Sequence, residues 1–197
     1  TSAVATNTDE TVKQLLALMN RVGVSLTTDH DWGALSYDYR FRTVFYDYTG
    51  DTTLDGYTIS NLSSVVGLST DFMVEGAGVD NDTFITAVGA SSVTVNIPLT
   101  ATGTTTALTF GQVKYAMPAD YSRVTPGTSY NKSNEWSMIG SANARDWQSL
   151  KSTFANVAPN TVYRILGDKF VVHPMPSTQQ NYGFEYVSDY WAVSSAG

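Results

Sequence analysis

Between Asp47 and Phe110 the chain carries seven acidic side chains, Asp47, Asp51, Asp55, Asp71, Glu75, Asp80 and Asp82, and not one Lys or Arg. The entire formal charge of −7 resides there, because the other eleven acidic residues are balanced by eleven Lys and Arg. A charge break of this kind marks a boundary between separately built regions. It also argues against nucleic-acid recognition by the segment, since phosphate binding needs clustered cations. Composition changes over the same interval: Thr, Ser, Gly and Val dominate, and turn residues cut the apolar runs short. The pattern predicts strands at 57–60, 72–75, 84–88, 92–96 and 105–110. Turns are expected at Gly50-Asp51, Gly76-Ala77-Gly78, Asp80-Asn81-Asp82 and Gly89-Ala90. Short strands so closely spaced make a small barrel or sandwich.

The flanking regions follow other periods. Val12, Leu15, Leu16, Met19, Val22 and Leu26 recur at steps of three and four, which places them on one stripe of a helix. Thr8 or Asp9 supplies its N-cap, Glu10 a favourable first-turn charge, and the polar run Thr27-Thr28-Asp29-His30-Asp31 its end. Gly23 weakens the last turn. From Leu35 to Phe45 the period becomes two, with Leu35, Tyr37, Tyr39, Phe41, Thr43 and Phe45 on one face of a half-buried strand. Beyond Gly111 a strand at 113–117, an irregular strand and turn around Pro126-Gly127, and a helix from Ala142 to about Phe154 capped by Ser141 are expected. The helix would carry Trp147, Leu150 and Phe154. Runs at 163–166, 169–173 and 182–188 read as a terminal meander with a hairpin turn at Gly167-Asp168. The fold class is therefore α+β: a helix-and-strand core in two parts, 1–46 and 111–197, interrupted by an all-β domain at 47–110. Such an insertion requires Phe45 and Val113 to stand on adjacent antiparallel strands.

A length of 197 residues suffices for one core of ordinary size. The absence of Cys removes disulfides, thiolate nucleophiles and Cys-ligated metals, which suits assembly in a reducing cytoplasm. No run is long enough for a membrane span, and Thr1 to Thr11 lacks the layout of a signal peptide, so a soluble chain with no membrane partner is expected. Chemistry is sparse. His30 sits in a polar helix terminus and reads as solvated, and His173, before Pro174, reads as a satisfied structural histidine. Gly76-Ala77-Gly78 lacks the following base and helix of a phosphate loop. Asp80-Asn81-Asp82-Thr83 lacks the spacing and terminal Glu of a calcium loop, and turn chemistry accounts for it. No catalytic set, metal or cofactor is expected. What remains is aromatic: four Trp and twelve Tyr with few charges, a composition that serves cores and also large subunit interfaces.

Several segments in order resemble one family. Asp9-Glu10-Thr11-Val12-Lys13-Gln14-Leu15-Leu16-Ala17-Leu18-Met19-Asn20, then Asp31-Trp32 and an aromatic strand, are similar to the opening of head-to-tail adaptor (connector) proteins of short-tailed bacteriophages. Met117-Pro118-Ala119-Asp120-Tyr121 resembles the family's Leu-Pro-x-Asp-Phe turn, and Asp146-Trp147-Gln148-Ser149-Leu150-Lys151 its short helix. Tyr163 to Phe170, His173-Pro174-Met175-Pro176, Phe184 to Ser188 and Trp191 resemble its closing strands. The resemblance covers about two thirds of the chain. The acidic segment resembles small β modules inserted in phage structural proteins, through Gly50-Asp51-Thr52-Thr53, Asn61-Leu62-Ser63-Ser64 and Gly76-Ala77-Gly78. Two departures stand out: the family's usual upstream helix is absent or very short, and the insertion is not part of the minimal pattern.

The resemblance implies a non-enzymatic virion protein at the head-tail junction, assembled in the host cytoplasm. It implies a homo-oligomeric ring of twelve copies that binds a portal protein on one side and a tail or nozzle protein on the other. DNA would pass through the lumen without sequence-specific binding, during genome ejection. Ring closure needs heterologous interfaces; the candidates are Tyr37, Tyr39 and Phe41 on the aromatic strand, Trp147 and Leu150 on the second helix, and Tyr190 with Trp191. The alternative is a carbohydrate-binding or adhesion module of a phage tail or surface protein, suggested by exposed aromatics and the Thr-rich segment. A virion glycosidase would need two carboxylates across a cleft, and no pair stands out.

Overall fold

The computed structural model describes residues 9–30, 32–152 and 161–190. The protein is α+β and mostly strand, with several small antiparallel sheets. Helix α1 (Glu10–Asp29) is capped by Asp9, whose carboxylate accepts from the Thr11 N–H at 2.8 Å. It runs unbroken through Gly23 and through Thr27 to Asp29, one turn further than the polar run suggests.

The aromatic strand is interrupted. It forms β1 (Ser36–Arg42) and β2 (Phe45–Thr52), with Thr43 buried between them. The Thr43 N–H donates to the Gln180 carbonyl at 2.8 Å, and its hydroxyl accepts from the Gln180 N–H at 2.7 Å and donates to the Thr178 carbonyl at 3.1 Å. A side chain that bonds backbone in this way competes with a strand ladder, and here it wins.

The acidic segment supplies β3 (Thr58–Ile59), β4 (Phe72–Gly76), β5 (Ile85–Val88), β6 (Val93–Val95) and β7 (Gly103–Gln112), close to the expected positions. Two sheets, β2-β7-β4 and β3-β6-β5, are joined at both edges by single bridges, Asp51 to Ser60 and Met73 to Phe84. The strand order thereby closes on itself as a small barrel. Its core draws on both sheets: Ile59, Val74 and Phe110 are fully buried, with Ile85, Val93, Val95, Leu99 and Leu108 beside them. Gly50, expected in a turn, lies inside β2 instead. A Cβ there would come within 2.9 Å of the Ile59 and Leu62 side chains, so the glycine serves close packing across the barrel. Entry and exit strands are neighbours, with Phe45 opposite Gly111.

Beyond the barrel come β8 (Lys114–Ala116), β9 (Tyr121–Val124), β10 (Tyr130–Asn131), β11 (Trp136–Ser137), α2 (Ala144–Ser152), β12 (Val162–Leu166), β13 (Lys169–His173) and β14 (Asn181–Ser188). The cap of α2 is Asn143, not Ser141: the Asn143 carboxamide oxygen accepts from the Asp146 N–H at 2.9 Å, and its amide donates to the Asp146 carboxylate at 2.6 Å. Phe154 lies outside the described residues. β12 and β13 form the expected hairpin, Leu166 opposite Lys169, with Gly167 at φ +61° in its turn. The meander ends there. β13 next pairs with β8, while β14 belongs to a second sheet, β1-β14-β10-β11, to which β9 also adds.

The chain divides into two compact units. The smaller holds the described residues up to Tyr39, Pro118–Thr128 and those from Phe184 on; the larger holds Arg40–Met117 and Ser129–Gly183. The acidic barrel thus shares the larger unit with α2 and the β12-β13 hairpin.

Candidate interaction surface

Helix α1 exposes its apolar stripe. Leu15 is 55 %, Leu18 57 %, Met19 49 %, Val22 50 % and Leu26 53 % accessible, although each is of a type that cores normally take up. Val12, Leu15, Met19, Val22 and Leu26 alternate steps of three and four, the spacing of a helix-packing seam, and Leu16 and Leu18 widen it. Only Glu10, Lys13, Arg21 and Asp29 carry charge on this helix. A contiguous apolar face on that scale marks a surface meant to be covered.

The aromatic strand is more fully used. Within the smaller unit Tyr37 stacks obliquely on Tyr186 at 5.9 Å and Tyr39 on Phe184 at 5.4 Å, yet Tyr37 stays 47 % exposed. Within the larger unit Phe41 meets Tyr115 at 4.5 Å and both Phe170 and Tyr182 at 5.6 Å. Trp147 is buried by its own chain, against Val162 and Val171, with Leu150 half-buried beside it. That ring is committed to the core of its unit rather than offered to a neighbour. Tyr190 is 56 % exposed, and Trp191 lies outside the described residues.

Segments far apart in sequence meet in pairs. The Tyr186 hydroxyl donates to the Asp120 carboxylate, 3.0 and 3.2 Å from its two oxygens, and the Asp189 N–H donates to the Asp120 carbonyl at 2.8 Å. Burial, then the adjacent Asp120 carboxylate, push the Tyr186 phenol up to about 12, so it stays a donor. Trp147 meets His173 edge to face at 6.1 Å. His30 packs on Trp32 at 4.9 Å, and Asp80 closes a turn by accepting from the Asn81 N–H and the Thr83 hydroxyl. Among the described residues no group of three or more His, Cys, Asp or Glu is placed to hold a metal. Nor is any helix among them long and apolar enough to cross a membrane.

One site escapes sequence reading. A cavity of about 240 Å³ in the larger unit brings together Met73, Asp82 and Phe84 from the barrel with Lys114, Trp147, Lys151 and His173. The Lys151 ammonium pairs with Asp82 at 2.7 Å. The Lys114 ammonium lies 4.7 Å over the Phe84 ring, and Lys151 lies 5.7 Å from the same ring. Burial holds the His173 imidazole below its ordinary value, with Asp82 opposing and Lys151 reinforcing that shift. These residues are scattered over strands, a turn and a helix, so no spacing in the sequence announces them. No family model, curated protein or solved structure matches the chain.

Proposed function

We propose that the protein is a non-enzymatic structural subunit of a short-tailed bacteriophage, a head-to-tail adaptor whose copies form a ring between portal and tail. The observation that carries this reading is the uncovered apolar seam of α1. Burying a side chain of this kind fully contributes about 1.5 to 3 kcal/mol, so five that are half covered still hold on the order of 5 kcal/mol for association. Two more observations support it. Asp120 and Tyr186, in two segments that carry the family resemblance, are joined by a hydrogen bond, as a shared core would require. The region outside the acidic barrel has no net charge, which suits a channel through which DNA slides without being held. The barrel, bearing all the net negative charge, projects away from that channel. A ring of twelve copies, with a portal protein on one side and a tail or nozzle protein on the other, follows from the resemblance.

The test is assembly on the portal protein of the same phage, followed by native mass spectrometry and a cryo-EM map. Ring formation that is lost in Leu15→Asp/Met19→Asp supports the reading. Failure of the wild-type chain to bind the portal, or a map with the barrel inside the channel, overturns it.

A second reading, a carbohydrate-binding module, draws on a cavity of about 140 Å³ where Trp136, 49 % exposed, stands beside Asn134 and Gln180. An aromatic face beside amides is what a sugar ring stacks on and hydrogen-bonds to. Binding on a glycan array that Trp136→Ala abolishes would favour it over the ring.

A further inference from the structure

The cavity beneath Lys114 has no task in ring formation, and its chemistry stands independently of that reading. Met73, Trp147 and Val171 give its lining an apolar part, and Lys114 and Lys151 a cationic one, with Asp82 paired to Lys151. Lys114 is half-buried, and among the described residues no carboxylate lies within ion-pair distance of it; its ammonium lies over the face of Phe84. A ring face attracts an ammonium ion but does not neutralise it, so a partly desolvated charge remains without a counterion. Lys151, by contrast, is neutralised by Asp82. His173 lines the same cavity, its side chain makes no hydrogen bond among the described residues, and burial keeps it uncharged near neutrality. A neutral imidazole still has one N–H to donate.

We propose that this cavity binds a small monocarboxylate with an apolar body. Lys114, Lys151 and Asp82 together leave the cavity one unmatched positive unit, which fits a monoanion and disfavours a phosphate dianion. One carboxylate oxygen would accept from the Lys114 ammonium and the other from the His173 N–H. The apolar body would lie against Phe84 and Trp147. The cavity volume, about 240 Å³, equals roughly eight water molecules at about 30 Å³ each, enough for a ring or a short branched chain and too little for a nucleotide.

Sodium benzoate is the probe, titrated into the full chain at pH 7.5 while the four tryptophan indole N–H signals are followed by NMR. The expected result is a saturable shift of the Trp147 signal, assigned through Trp147→Phe, with Kd of about 1 mM, as suits a ligand of so few atoms. Lys114→Met should weaken binding at least tenfold. His173→Phe, which keeps the ring and removes the donor, should weaken it severalfold, and inorganic phosphate should bind at least tenfold more weakly than benzoate. A thermal melt confirms that each variant is folded, and Lys114→Gln replaces Lys114→Met where it is not. Absence of a saturable shift, equal affinity in folded Lys114 variants, or phosphate binding as tightly as benzoate would overturn the proposal.

Discussion

The barrel and helix α1 are both rich in apolar side chains, and they dispose of them in opposite ways. The barrel turns Ile59, Val74 and Phe110 inward until none is accessible. The helix leaves Leu15, Met19 and Val22 about half accessible. Periodicity states that a face will be buried, and it is silent about what buries it. In the barrel the covering surface comes from the same sixty or so residues, because closure of the two sheets brings both faces onto one core. In α1 the described chain supplies no cover for the seam.

The contrast can be tested by substitution. Phe110→Ala, in the barrel core, should cost the most, about 3 to 5 kcal/mol, read as a fall in the urea midpoint. If the loss were under about 1 kcal/mol, the barrel would not be the self-contained element its burial implies. Tyr186→Phe should cost about 1.5 kcal/mol, because it removes a hydrogen bond to a carboxylate while keeping the ring. Asn143→Ala, at the cap of α2, should cost about 1 kcal/mol in the same assay.

A shallower effect comes with pH. Because burial holds folded His173 below 6.5, the unfolded chain takes up its proton first on acidification. Stability should therefore be fully present above 6.5, fall as pH drops below it, and stop falling from this source once the folded imidazole is protonated. In His173→Gln that part of the slope should vanish. Smallest of all should be the effect of Leu15→Asp/Met19→Asp on the unassembled chain, within about 1 kcal/mol, set by helix propensity and little lost burial. A large loss there would mean that the seam already serves the isolated fold.

Much of this architecture was legible in the residues. Alternation and turn chemistry located β3 to β7 to within a few positions, and the Gly167-Asp168 hairpin closely, but missed the part of β2 from Asp47 to Thr52. Local pattern failed where a long-range contact decided the outcome. Thr43 breaks an otherwise regular strand because Gln180 and Thr178 are there to bond it. Gly50 resembles a turn residue until Ile59 and Leu62 are seen packed against it. The third terminal run, β14, looks like a continuation of the hairpin but joins a different sheet. Of the expected surface residues, Tyr37 and Tyr190 are about half exposed, whereas Trp147 is enclosed. The cavity around Lys114 was invisible because its members meet only through tertiary folding.

The pairing of Phe45 with Gly111 gives the barrel a modular character. Directly opposed antiparallel residues stand about 5 Å apart, a gap that a two-residue hairpin can close. The chain therefore enters and leaves the barrel through one narrow doorway, and beyond that doorway the ion pairs Asp71–Lys169 and Asp82–Lys151 tie it to the rest of its unit.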